Sequence, residues 1–348
     1  ICILACLIGV AFYISSIYVS ARAMPLNKEA LSSPYISLQV FDSENRPIKE
    51  DNEINKAVVN ISNISDSTKN AFISIEDKSF YNHHGVNYKR IFKAMINNLK
   101  ARSLKEGAST ITQQLVKNTQ LTSEKTFERK IKEIALAQRL EKNYTKDEIL
   151  ELYLNVIYFG NNCYGIENAS NYYFSKDAKD LSLEESAMLA GLIKSPAKYS
   201  PIKNYDNALS RRNLVLKEMY QDKCISASEY NLAKNSPINL NINNQPKNKL
   251  NSYSQASIDE AEEVLGIPAR QIALKGYKIY TYQNSEKQGA LDEALKKQNI
   301  SSDYAGIVID NEGHSIVAYN GNSIFKILDA KRQPGSCIKP ILVYGPTA

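Results

Sequence analysis

Four short stretches combine residue types that could do chemistry. The first is Glu76-Asp77, at the exit of the apolar run Ala71 to Ile75 and followed by Phe80, His83, His84 and Gly85. A carboxylate beside apolar surface is poorly hydrated, which drives its pKa toward the range where it can take a proton from a hydroxyl. The plain alternative is an acidic turn after a helix. The second runs from Gly107 to Asn118, where Ser109, Thr110, Thr112, Gln113 and Gln114 open a helical run and Lys117 follows Gln113 by four residues on the same face. These groups could hold sugar hydroxyls or a phosphate, or simply cap a helix beside a solvated lysine. In the third, Arg129 and Lys130 precede Glu133. At about 100° per residue Glu133 shares a face with Leu136, Ala137 and Leu140, and Arg129 lies one turn earlier. A carboxylate on an apolar stripe is costly unless paired, so Arg129 is either its structural partner or part of a functional cluster. In the fourth, Ser336 and Lys339 form Ser-x-x-Lys, a spacing that places hydroxyl and amine on one helical face, where a neutral lysine could activate the serine.

The elements that must position these groups are largely helical. From Ala57 to about Gln221 the apolar periodicity is that of helices. Thr145 with Glu148 and Ser182 with Glu185 fit the capping box, in which hydroxyl and carboxylate exchange hydrogen bonds with unpaired backbone N–H groups. Ser195-Pro196 stops the second of these helices. Asn87 to Arg102 carries Ile91, Met95 and Leu99 on one stripe, Phe92 and Ile96 beside it, and Lys89, Arg90, Lys93, Lys100 and Arg102 around the rest. That pattern suits a surface helix on a core or a basic amphipathic segment at a membrane interface. Before this region, Ile36, Leu38 and Val40 alternate as a short strand that turns at Asp42 to Asn45. After it, the polar stretch from Asn235 to about Ser254, with Pro237 and Pro246, reads as a linker. Ala305–Asp310 and Ser315–Tyr319 then read as two strands of a hairpin.

At 348 residues the chain can hold two domains. Its net charge of +6 is too mild to indicate a nucleic-acid partner, but suits a protein beside anionic headgroups or a phosphorylated substrate. Five cysteines without pairing or metal-ligand spacing read as small buried hydrophobes. Ile1 to Val19 carries no charge, and a helix of that length nearly crosses a hydrocarbon core of about 30 Å. Residues 1–21 are therefore expected to anchor the chain in a membrane, with a cleaved signal peptide as the competing reading.

The first three stretches occur in order behind this apolar segment. Together they resemble the glycosyltransferase domain of class A penicillin-binding proteins, the family 51 peptidoglycan glycosyltransferases. Glu76-Asp77-x-x-Phe80-x-x-His83-x-Gly85 is similar to the first family motif, Gly107-x-Ser109-Thr110-Ile111-Thr112-Gln113-Gln114 to the second and Arg129-Lys130-x-x-Glu133 to the third. Lys146 to Asn155, Tyr158 to Gly165 and Leu181 to Pro201 resemble later ones. The resemblance implies a mainly α, lysozyme-like domain over 35–234 behind a single transmembrane helix, with the domain on the extracytoplasmic side of a bacterial membrane. An interdomain region (235–302) and the start of an α/β transpeptidase domain (303–348) would follow.

It also implies roles. Glu76 would be the general base of lipid II polymerisation, and Glu133 would organise the departing diphosphate, directly or by holding a divalent cation such as Mg. Lys117, Arg129 and Lys130 would offset its charge, while Asp77, Ser109, Thr110, Gln113 and Gln114 would line the substrate site. His83 is expected to shape its loop. Ser336 and Lys339 would be the nucleophile and base of a transpeptidase taking stem peptides and β-lactams in a full-length form. The family's Ser-x-Asn and Lys-Thr-Gly motifs would lie beyond Ala348, so no working transpeptidase is expected from these residues alone. Lipid II, the growing glycan strand, membrane lipids and other cell-wall synthesis proteins are the implied partners. A lysozyme-like hydrolase and a non-catalytic cell-wall scaffold are the competing functions.

Overall fold

The computed structural model describes residues 2–32, 38–48, 58–101, 107–121, 126–161, 163–243, 252–267, 269–274, 276–298 and 304–321. Ile36, Arg102, Lys105, Ser336 and Lys339 lie outside them. The described helices are α1 (Cys2–Ala23), α2 (Lys28–Ser32), α3 (Asp66–Glu76), α4 (Tyr88–Ala101), α5 (Ile111–Gln120), α6 (Phe127–Asn143) and α7 (Lys146–Val156). They continue with α8 (Ile166–Phe174), α9 (Leu183–Leu192), α10 (Tyr205–Gln221), α11 (Ala227–Asn235), α12 (Ser252–Leu265), α13 (Ala269–Leu274) and α14 (Ser285–Lys297). The strands are β1 (Gln39–Phe41), β2 (Lys278–Tyr280), β3 (Ala305–Asp310) and β4 (Ser315–Gly321). The architecture is mainly helical, and the chain divides into two compact units.

The first unit comprises residues 1–38, 53–248 and 266–277. Its centre is α9, whose residues from Ser186 to Leu192 are all buried. A helix apolar all round belongs inside a core, and α9 packs between α3 and α10. Thr68 and Ser186 share a buried hydrogen bond of 2.8 Å across the α3–α9 contact. The core continues through Phe72, Phe80, Ile111, Leu115, Leu136, Leu140, Ile149 and Tyr173. Each such large apolar side chain contributes about 1.5–3 kcal/mol on burial. Both expected capping boxes form, at Thr145–Glu148 and Ser182–Glu185, and two more appear at Thr110–Gln113 and Ser226–Glu229.

The N-terminal helix is tied to this unit by its C-terminal half. Ile17 and Ala21 are buried, the Tyr18 hydroxyl donates to Gln138 Oε1 at 2.5 Å, and Arg139 donates to the carbonyls of Arg22 and Met24. Among the described residues no helix is long and apolar enough to cross a membrane. The span expected over residues 1–21 therefore finds no support in the described helices; the last turns of α1 are serine- and tyrosine-bearing and serve as a packing surface for α6.

In the second unit (39–52, 249–265 and 278–348), β1 pairs in parallel with β2, and β3 pairs antiparallel with β4. The expected hairpin forms, with α12 and α14 packed on β4. Asp42 anchors the turn after β1, accepting from the backbone N–H groups of Glu44 and Arg46, from the Arg46 guanidinium and from the Ser285 hydroxyl. The region expected to be linker and interdomain chain has local structure of its own. In the first unit Asn241 and Asn243 donate backbone N–H groups to the carbonyls of Tyr173 and Tyr172, and the described residues of 252–298 hold helices and a strand. Cysteine is corrected too: Cys163 is buried, but Cys6 and Cys224 are exposed.

Candidate active site

The site is built around the first turn of α5. Thr110 caps that helix: its hydroxyl accepts from Gln113 N at 3.1 Å, while Thr110 N donates to Gln113 Oε1 at 3.1 Å. The Thr110 hydroxyl also donates to Gly85 O at 2.7 Å. Gly85 has φ +84°, and a Cβ there would lie 2.8 Å from the Ala137 backbone, so only glycine lets this loop pass against α6. Consecutive side chains of the turn then reach two different carboxylates. Gln113 Nε2 donates to Glu133 Oε1 at 3.1 Å, and Gln114 Nε2 donates to Glu76 Oε2 at 2.6 Å.

Glu76 is the last residue of α3, half-buried, with its backbone carbonyl held by Arg90 Nη1 at 2.6 Å. Arg90, expected among the solvated cations of the amphipathic helix, instead braces this helix end and also donates to Gly107 O at 3.3 Å. Asp77 is fully buried. Its Oδ2 accepts from Ile111 N at 3.1 Å at the head of α5 and lies 2.7 Å from His83 Nε2. His83 Nδ1 lies 3.5 Å from Lys146 Nζ, which pairs with Glu141 Oε1 at 2.7 Å and stacks 4.6 Å above the Phe80 ring. Thr112 completes this knot by donating to Glu141 at 2.6 Å. The knot binds the loop after α3 to α5, α6 and α7.

Glu133 is 2 % exposed, and its charge is fully compensated. Arg129 Nη1 donates to Oε2 at 3.2 Å, and Lys130 Nζ donates to Oε1 and, at 2.9 Å, to Ser109 Oγ. Lys117 joins the same electrostatic neighbourhood. Desolvation, followed by the like charges of Arg129 and Lys130 against the attraction of Glu133 and Glu76, lowers its ammonium below the usual lysine range, although part of its side chain is exposed. Among the described residues Lys117 makes no hydrogen bond or ion pair. Three cations thus converge on one buried carboxylate, a surplus of positive charge suited to an incoming polyanion.

Some of the expected contacts need correction. Thr110 and Gln113 are fully buried and spend their polar groups on each other, on Gly85 and on Glu133, so they shape the site instead of lining it. Asp77 is likewise an internal cap. Ser109, Gln114, Lys117, Arg129 and Lys130 are not fully buried. The residues present do not fit a divalent cation held by the protein at Glu133. Both its oxygens are occupied by cationic or amide donors, and among the described residues no group of three His, Cys, Asp or Glu side chains could hold a metal. Sequence reasoning missed Glu141 and gave Lys146 and Tyr153, inside the motif-like stretch Lys146 to Asn155, no individual role. Glu141 lies eight residues after Glu133, near the same face of α6, which was its available signal. Tyr153 lay within the motif-like stretch Lys146 to Asn155 without a role of its own, yet a buried tyrosine hydroxyl needs a partner, and its hydroxyl donates to Gln114 Oε1 at 3.2 Å.

Comparison with known proteins identifies the family to which these stretches belong. The transglycosylase family matches residues 44–220, a span that contains Glu76, the α5 turn and Glu133. Penicillin-binding protein 1F of Bacillus subtilis (strain 168) is 35% identical over 358 residues, covering 99% of this chain and 50% of its own length. Penicillin-binding protein 1A/1B of the same organism is 37% identical over 350 residues, covering 93% of this chain and 37% of its own. Penicillin-binding protein 1A of Aquifex aeolicus (strain VF5) is 38% identical over 303 residues, covering 85% and 40%. The chain spans at most half the length of these relatives. The resemblance to class A penicillin-binding proteins read from the motifs is borne out, and the match carries all three glycosyltransferase stretches: the chain belongs to the transglycosylase family.

Proposed function

We propose that the chain polymerises lipid II into glycan strands by an inverting glycosyl transfer. The observation that carries this reading is the pairing of two carboxylates with consecutive glutamines of α5, one carboxylate beside a neutral amide and the other inside a cluster of cations. Glu76, which accepts only from Gln114 among the described side chains, takes the proton from the 4-hydroxyl of the acceptor GlcNAc. The oxygen so activated forms a bond to C1 of the donor MurNAc from the face opposite the leaving group. The bond from C1 to the diphosphate oxygen breaks, and undecaprenyl diphosphate departs with the electron pair.

Negative charge grows on that diphosphate, and Lys117, Arg129 and Lys130 are the groups that offset it. The Lys117 ammonium is lowered first by desolvation and then, less strongly, by Arg129 and Lys130, and an arriving anion would favour its charged form. Glu133 holds Arg129 and Lys130 in place for this. A divalent cation was expected here from the resemblance; the chain's own donors do not form a site for one, and the three cations supply the charge.

We also infer that this unit works at a bacterial membrane, on its extracytoplasmic side. In support, α1 exposes Ile8, Val10, Phe12 and Val19, and α4 exposes Tyr88 and Phe92 beside Lys89 and Lys93. The β3–β4 hairpin and Ser336-x-x-Lys339 are read as the beginning of a penicillin-binding unit, to which stem peptides and β-lactams would belong.

Purified protein supplied with lipid II in detergent is expected to yield glycan polymer that a muramidase digests. Glu76→Gln should lower the rate by about 10² to 10⁴, the usual contribution of a general base, with the fold intact by circular dichroism. Polymerisation by Glu76→Gln near the wild-type rate, or cleavage of preformed strands without synthesis, would refute the proposal.

A further inference from the structure

Tyr153 lies fully buried in α7 and donates its hydroxyl proton to Gln114 Oε1, and Gln114 Nε2 in turn donates to Glu76 Oε2. Burial and, after it, the carboxylates of Glu76 and Asp77 hold the phenol protonated, well above the usual tyrosine range. We propose that Tyr153 is a positioning residue for the glycosyl transfer, orienting the Gln114 amide so that it can only donate to Glu76 and thereby keep that carboxylate ready to accept a proton. The inference rests on the reading of Glu76 as the base.

A glutamine amide has two orientations of nearly the same shape. In the observed one both ends are satisfied. Turned over, Oε1 would face Glu76, and Tyr153 could only accept from Nε2. Its own proton would then be left unpaired inside the core, because among the described residues the hydroxyl has no other hydrogen bond. An unpaired buried donor is costly, so the hydroxyl selects against that state. The selection matters for turnover. A turned-over Gln114 would accept a hydrogen bond from protonated Glu76, and bonding to the neutral acid favours the acid over the base. With Tyr153 in place Gln114 presents Glu76 with a donor and not an acceptor.

The test compares Tyr153→Phe with Tyr173→Phe in lipid II polymerisation across pH. Tyr173 is a second fully buried tyrosine of the same unit, whose hydroxyl donates to Phe159 O at 3.0 Å and accepts from Asn161 at 2.9 Å. Tyr153→Phe is expected to lower kcat about tenfold, a fraction of a full general-base effect. KM should stay within about twofold, and the acidic limb of the rate profile should move to higher pH. Tyr173→Phe should move neither kcat nor the limb. The proposal is overturned by a Tyr153→Phe enzyme with wild-type kcat and limb, by equal losses in both variants, or by a Tyr153→Phe protein that fails to fold while Tyr173→Phe folds. That last outcome would assign the hydroxyl to core stability. Glu76→Gln measured in parallel separates the two readings: if it polymerises, the base assignment falls, whereas an inactive Glu76→Gln beside a normal Tyr153→Phe removes only the role of Tyr153.

Discussion

Glu133 and Lys117 show how two charged residues in one cluster carry different burdens. Glu133 is buried and compensated by Arg129, Lys130 and Gln113, so its partners hold the fold as well as the site. Arg129→Met leaves Glu133 Oε2 without its donor, and removing one partner of a buried ion pair costs up to about 3–5 kcal/mol, less here because Lys130 still pairs with Glu133. That variant should melt earlier in a thermal scan and also polymerise more slowly. Lys117 spends no hydrogen bond on the protein among the described residues, so Lys117→Met should leave the melting temperature unchanged. It should still lower kcat/KM by about 10²-fold, the usual effect of removing one donor from a developing anion. A Lys117→Met enzyme with full kcat/KM would remove the ammonium from the proposed mechanism.

Helix α5 turns local rules into site geometry. Its cap, Thr110, sets the first turn, and that turn aims Gln113 at one carboxylate and Gln114 at the other. Ser226 caps α11 in the same way but holds no site residue. Both Thr110→Ala and Ser226→Ala should cost about 1 kcal/mol by denaturant unfolding. Only Thr110→Ala should also slow polymerisation, since it frees the turn that carries both glutamines. Equal activities in the two variants would show that the cap does not transmit to the site.

Within the second unit the turn after β1 carries its own pH dependence. Burial works against the Asp42 carboxylate, but hydrogen bonds from the Arg46 backbone, Ser285, the Arg46 guanidinium and the Glu44 backbone outweigh it and hold its pKa down at about 2, from an ordinary 3.8. A carboxylate depressed by folding contributes stability that is complete above its unfolded pKa and disappears as pH falls through its folded one. The contribution of Asp42 is therefore present above about pH 4 and lost toward pH 2. Acid titration of the native circular-dichroism signal should show this component in the wild type and not in Asp42→Asn; identical titrations would place the acid sensitivity elsewhere.

Residue spacing alone disclosed the capping boxes at Thr145 and Ser182, the stripe that pairs Arg129 with Glu133, and the β3–β4 hairpin, because helical and strand periodicities are set by neighbours within a few positions. It also marked Glu76 and Glu133 as carboxylates that needed explaining. Packing decided which polar groups are spent on the fold and which remain for substrate. Thr110 and Gln113 looked as available as Ser109 and Gln114 until the tertiary fold buried them against Gly85 and Glu133. The relay from Tyr153 through Gln114 to Glu76 joins residues 39 and 38 positions apart, beyond any helical period. Spacing assigns a side chain to a face, but only the close approach of α3, α5, α6 and α7 removes water from these groups together, and that shared desolvation sets their hydrogen bonds and their chemistry.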